Sequence, residues 1–183
     1  MKTLIKWSVA DYHRMIEAGI LADRRVELLD GEVVALSPEA PEHYFLSDET
    51  SDELKQRLRG RAVVRLDGPV TLANSEPEPD IAVVRLPKAQ YRDRHPDSED
   101  IYWIIEYSSS SLSKDLDEKR RLYAASGIRE YWVVNLKARH LKVFQDPLGD
   151  TYQVERTHST GAIAPLAFPD VSLSVERLLG TSE

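Results

Sequence analysis

The sequence predicts a mixed α/β fold, a central mixed sheet flanked by helices, with an N-terminal helix and hairpin and a C-terminal antiparallel meander. Three observations predict it. The middle of the chain reads helix, strand, strand, strand, helix, strand. The run Ile101-Tyr102-Trp103-Ile104-Ile105-Glu106-Tyr107-Ser108 is apolar on both faces, so it belongs inside a sheet covered on both sides. With 183 residues, 42% of them hydrophobic and 30% charged, the chain can bury a core and is expected to form a single domain over residues 1–183.

The elements follow in order. Ser8-Val9-Ala10-Asp11 resembles a capping box with Asp in place of Glu, and Val9, Tyr12 and Ile16 follow at helical spacing before Gly19. Asp30-Gly31 between two alternating runs predicts a hairpin over 25–36. Leu46, Thr50, Leu54 and Leu58, four apart, give a narrow apolar stripe on a helix over 44–58 that Gly60 stops. Residues 62–66 read as a strand, Asp67-Gly68-Pro69 as a turn, and Val70-Thr71-Leu72 as a short strand. A Pro-rich approach leads to Asp80 and the strand 80–85, and 87–100 is a polar loop. After the 101–108 strand come a helix over 114–126 ended by Gly127, a strand over 130–136, the alternating runs 140–144 and 151–155, and a last helix over 175–179.

Composition excludes several functions. There is no cysteine, hence no disulfide, thiolate zinc site or cysteine nucleophile, and a cytoplasmic protein is expected. No apolar run is long enough to span a membrane, and the first residues predict no secretory signal. The five histidines are too scattered for a zinc site. The formal charge of −7 opposes nucleic-acid binding by the molecule as a whole, because the phosphate backbone rewards positive charge. Basic residues nevertheless cluster at Arg57, Arg59, Arg61 and Arg65, at Arg92 and Arg94, and at Lys119, Arg120 and Arg121.

Three charged residues stand where a folding chain disfavours them. Asp80 heads the apolar run Ile81-Ala82-Val83-Val84, and Glu106 lies inside the two-faced strand near its C-terminal end. An unpaired charge in either place costs several kcal/mol. Two such acids on neighbouring strands would make a site for a hard divalent cation. Their separation suits antiparallel neighbours joined by the 87–100 loop, although spacing alone leaves the register open. On the 114–126 helix, about 100° per residue puts Lys119 inside the arc of Leu112, Leu116, Leu122 and Tyr123, facing the sheet, with Asp115 one turn earlier. Such a lysine can snorkel to the rim, pair with Glu106, or reach a water or phosphate.

Several runs together resemble the Uma-type family of restriction-endonuclease-like proteins, within the PD-(D/E)xK nuclease superfamily. They are Val26-Glu27-Leu28-Leu29-Asp30-Gly31-Glu32-Val33, Pro79-Asp80, Ile104-Ile105-Glu106-Tyr107-Ser108-Ser109-Ser110-Ser111, Asp115, Lys119, and Tyr123-Ala124-Ala125-Ser126-Gly127-Ile128-Arg129-Glu130-Tyr131-Trp132-Val133-Val134. The likeness spans about Ser8 to Leu179. It implies a restriction-endonuclease-like sheet holding magnesium or manganese through Asp80, Glu106 and the carbonyl of Tyr107. The superfamily lysine two residues after the Glu is replaced here by Ser108, and the resemblance implies that it has moved to the helix as Lys119. Glu27 and His43 match further positions of the family, with Glu53 a lesser candidate for the extra acid. The stretch 48–53 is more acidic than is usual in the family.

The resemblance thus implies a divalent-metal-dependent endonuclease hydrolysing phosphodiester bonds of DNA. A homodimer is expected because cutting both strands benefits from two sites, and no membrane partner is expected because no apolar run is long enough to span one. The alternative is a catalytically inactive member of the fold that binds protein or nucleic acid. A carboxylate-pair glycosidase would leave Lys119 without a role.

Overall fold

Ser8 caps α1 (Val9–Glu17) as its sequence predicts: the Ser8 hydroxyl accepts from the Asp11 N–H, and the Asp11 carboxylate accepts from the Ser8 N–H. The computed structural model describes residues 5–109 and 114–182. Strands β1 (Val26–Leu29) and β2 (Glu32–Ala35) form the hairpin, with Asp30 at φ 43° and Gly31 at φ 73° in the turn. Positive φ at both central residues matches the right-handed strand twist, which explains the Asp-Gly pair. The hairpin docks through backbone bonds between Leu28 and Glu76, which bring β1 beside the chain leading to Asp80.

Six strands make the central sheet in chain order: β3 (Val63–Leu66), β4 (Ile81–Val84), β5 (Ile101–Ser108), β6 (Glu130–Asn135), β7 (His140–Leu148) and β8 (Thr151–His158). Every neighbouring pair is antiparallel except β5 and β6, which run parallel. A parallel pair needs a crossover. Here it includes a π-helical segment, Lys114–Lys119, that continues into α3 (Arg120–Ala125). The single helix predicted over 114–126 is therefore two kinds of turn. Leu112, Ser110 and Ser111 lie outside the described residues. The expected strand at 70–72 is reduced to one bridge between Leu72 and Ser75.

One sheet face packs on α2 (Pro41–Arg57). Leu46 and Leu54, with Leu58 just beyond the helix end, cover Trp103, Trp132 and Val134, so the predicted stripe is the buried one. The chain returns to close this face with Phe168, Val171, the short pair β9 (Ala162–Ile163) and β10 (Leu173–Ser174), and α4 (Val175–Leu178). The other face carries Ala82, Ile104, Tyr131, Val133 and Phe144 beneath Val70, Tyr123 and Ile128.

The expected alternation along β5 holds from Trp103 to Ser108 and fails before it. A bulge opposite Val83 and Val84 inserts one residue, so Ile101 joins the Glu106 face and Tyr102 packs on the other, edge-on to Phe168 at 5.0 Å. No helix among the described residues is long and apolar enough to cross a membrane.

Candidate active site

The β4–β5 register sets Ile81 against Ile105, so Asp80 and Glu106 come together at one end of the two strands. The Asp80 N–H donates to Glu106 Oε2 at 3.4 Å, and the Tyr107 N–H donates to Asp80 Oδ2 at 2.5 Å. Both acids are buried. The register that spacing left open is thus the one that makes the acids converge.

Lys119 enters from the crossover. Its Nζ lies 2.7 Å from Glu106 Oε1 and 3.5 Å from Glu27 Oε2. Tyr123 Oη donates to the same Glu106 oxygen at 3.1 Å. Asp115 is buried beside them, and its carbonyl accepts from Tyr131 Oη at 3.1 Å, which fixes the π-helical segment to β6. Such segments recur at functional sites because they re-aim side chains. Glu27 is fully buried on β1 rather than at an exposed strand position, and it accepts the Glu78 N–H at 3.1 Å.

His43, in the first turn of α2, places Nε2 3.0 Å from Asp80 Oδ2, and its ring lies 6.1 Å from that of Tyr107. The Tyr107 hydroxyl is 2.7 Å from Thr50 Oγ1 on the same helix. Glu53 lies apart from the cluster and pairs with Arg57 at 2.8 Å and Arg177 at 3.5 Å. The helix buries His43, Leu46, Ser47, Thr50, Ser51 and Leu54, and none of Asp48, Glu49, Asp52 and Glu53 lines the cavity at the acids.

That cavity, of about 60 Å³, is lined by Glu39, Asp67, Glu78, Asp80, Glu106 and Asp115, against the cations Arg25 and Lys119. It has room for an ion with a few waters. The acids crowd one another electrostatically. Burial pushes the Glu106 carboxyl well above its ordinary range; Asp80 and Asp115 add to this, while Lys119 pulls the other way. Asp67 is pushed up to about 6 by burial, then by Glu39 and Asp80. Glu78 is raised by burial, then by Glu27. Burial disfavours the Lys119 ammonium, but Glu106, Glu27 and Asp115 outweigh it and hold the group protonated. Burial likewise opposes a charged His43, and Asp80 overcomes it and raises the pKa.

A hard cation fits this donor set. The oxygens are carboxylate, the negative charge exceeds the positive, and each acid raised by its neighbours would be relieved by a positive ion. Among the described residues no three His, Asp or Glu side chains group as metal ligands.

Asp67, Glu78, Glu39, Arg25 and Tyr123 were not singled out from sequence as site residues. Glu78 carried a signal, since it precedes Asp80 by two in an extended Pro-rich run and so shares its side. Asp67 read as ordinary turn chemistry, and Tyr123 as core.

The fold is thus a mixed six-stranded sheet with a single parallel pair, two acids at its strand ends and a lysine from the crossover. A solved structure described as a putative nuclease belonging to DUF820, from Anabaena variabilis ATCC 29413, has the same fold. The two superpose with a TM-score of 0.71 at 16% identity, covering 85% of this chain and 90% of that one. No curated protein matches the chain. The chain belongs to the Uma2 family, described as "Putative restriction endonuclease", which matches residues 9–176.

Proposed function

We propose that this protein is a divalent-metal-dependent endonuclease that hydrolyses phosphodiester bonds of DNA, with Asp80, Glu106 and Lys119 at its centre. One observation carries the reading: the Lys119 ammonium sits 2.7 Å from Glu106 in a buried pocket where carboxylates outnumber cations. Asp80 and Glu106, with the carbonyl of Tyr107, would hold magnesium or manganese. Such an ion, when bound, lowers the pKa of a coordinated water and offsets charge on the scissile phosphate.

The side chains divide the remaining work. Lys119, protonated, donates to the phosphate oxygen where negative charge develops, rather than removing a proton. Glu27, 3.5 Å from its Nζ, holds that amine toward the site. The Tyr107 N–H fixes the Asp80 carboxylate, and His43 Nε2 lies 3.0 Å from the same oxygen. Cutting both strands of a duplex takes two such sites, which a homodimer supplies; sedimentation analysis reads that state.

The test is plasmid cleavage with magnesium or manganese by the wild type, Glu106→Ala and Glu106→Gln. Loss of nicking in both variants, with folded circular dichroism spectra, is the expected result. Equal cleavage by wild type and variants removes the proposal. A second reading, a binding module without catalysis, is favoured by the protein partners that both Glu106 oxygens already have. Calorimetric titration with manganese separates the two: no heat at millimolar ion favours the module.

A further inference from the structure

Arg65 lies on the edge strand β3, on the same sheet face as Glu106. The ladder pairs it with Ala82, and Ala82 with Ile104, two residues before Glu106. Ladder spacings then put the Arg65 and Glu106 Cα atoms roughly 12 Å apart. Among the described residues the Arg65 guanidinium has no carboxylate partner. Among those residues it makes one hydrogen bond, from Nη2 to the Pro69 carbonyl at 3.4 Å, and its buried Nε makes none. Burial lowers its pKa, and Tyr91 offsets this only in part.

Arg65 lines a concavity of about 500 Å³ together with Gly68, Lys88, Tyr91 and Arg92. Lys88 and Arg92 are exposed and, like Arg65, form no ion pair among the described residues. Arg94 nearby is different, because Asp100 neutralises it at 2.5 Å. Gly68 leaves room for the guanidinium: a Cβ there would lie 3.0 Å from Arg65 Nη2. The concavity and the catalytic cavity share one turn, since Leu66 and Gly68 line the first and Asp67 the second. The groove is lined by these three cations and by no carboxylate, a local excess of positive charge in a chain of net charge −7.

We propose that Arg65, Lys88 and Arg92 form a track for the phosphate backbone of the nucleic-acid strand flanking the scissile bond. The assignment rests on the nuclease reading above. It also explains how an acidic protein holds a polyanion, since binding would draw on a local cationic groove rather than on the molecule's net charge. Contacts of this kind position the substrate without reading its sequence.

The experiment is fluorescence anisotropy with a labelled duplex of about 20 base pairs in EDTA, which prevents cleavage, from about 50 to about 200 mM salt. The expected result is weaker binding by Arg65→Met and Arg92→Met for every sequence tried. The slope of log affinity against log salt should fall by about 1 for each. Gly68→Ala, which displaces the guanidinium without changing charge, should also weaken binding. Arg121→Met, whose arginine is paired with Asp150 on the crossover, should leave the slope unchanged. Wild-type slopes in Arg65→Met and Arg92→Met overturn the track, as does an equal loss in Arg121→Met. If the wild type binds no duplex at low salt, the track is likewise wrong. Plasmid cleavage in magnesium reports separately on the nuclease reading, which survives if cutting persists while these slopes do not move.

Discussion

Removing the Lys119 amine leaves Glu106 in a site that is nearly dry, with its neighbours Asp80 and Asp115 also acidic. Lys119→Met should therefore cost about 3–5 kcal/mol in urea denaturation, and Glu106→Gln in the same chain should restore part of it. Glu130 makes a second residue-scale prediction. Its carboxylate accepts from Trp132 Nε1 at 2.8 Å, Gln145 Nε2 at 2.9 Å and the Leu166 N–H at 2.7 Å, with no cation among these donors. Burial outweighs those donors and raises its pKa above the ordinary 4.5. The folded state thus binds this proton more tightly than the unfolded one. The stability it contributes is complete below the unfolded pKa and is lost as pH rises through the folded value. Melting curves from about pH 4 to about pH 8 should show Glu130→Gln losing less stability with rising pH than the wild type. Asp80, Glu106 and Lys119 were legible in the sequence because a buried charge contradicts its apolar surroundings. Asp67 was not singled out, because in sequence it looks like any turn acid, and Arg65 stood out only as one of a basic cluster.

The β1–β2 hairpin carries Glu27 to Lys119, and its turn depends on Gly31 twice over. Its φ is +73°, and a Cβ would meet Lys6 Cβ at 2.8 Å and the Trp7 carbonyl at 3.0 Å. Gly149, at φ +61°, has nothing within 4 Å of an added Cβ. Gly31→Ala should destabilise by about 2–3 kcal/mol and Gly149→Ala by about 1 kcal/mol, measured by thermal denaturation. The hairpin was readable from Asp30-Gly31 because a type of turn demands those residues. The crossover was readable only in part. A 3.6-residue period placed Lys119 inward correctly, yet it could not reveal the π-helical winding, which is a backbone adjustment to packing between Tyr131 and the site. The bulge at Tyr102 was hidden for the same reason: an extra residue in one strand shows only against its partner.

The molecule divides its labour along the chain. The acids, histidine and lysine of the candidate site all lie between residues 27 and 119, while the chain beyond Gly127 supplies half the sheet and closes the α2 face. Phe168 is the keystone of that closure, 5.8 Å from Trp103 and under the Arg61 guanidinium at 4.9 Å, with Arg61 itself paired to Asp170 at 2.6 Å. Phe168→Ala should cost about 3–5 kcal/mol by calorimetry without altering the geometry at Asp80. The layered α/β plan and the meander were legible as alternating and helical periods. The return of 160–174 over the sheet was not, since that stretch shows no period and its register is set by the tryptophans it covers. The tight bend at Gly149-Asp150 joins β7 and β8, the last two strands of the central sheet, far along the chain from the candidate site. A tag, a reporter or a tether to another protein spliced into that bend would ride on the scaffold and leave the candidate site where it is.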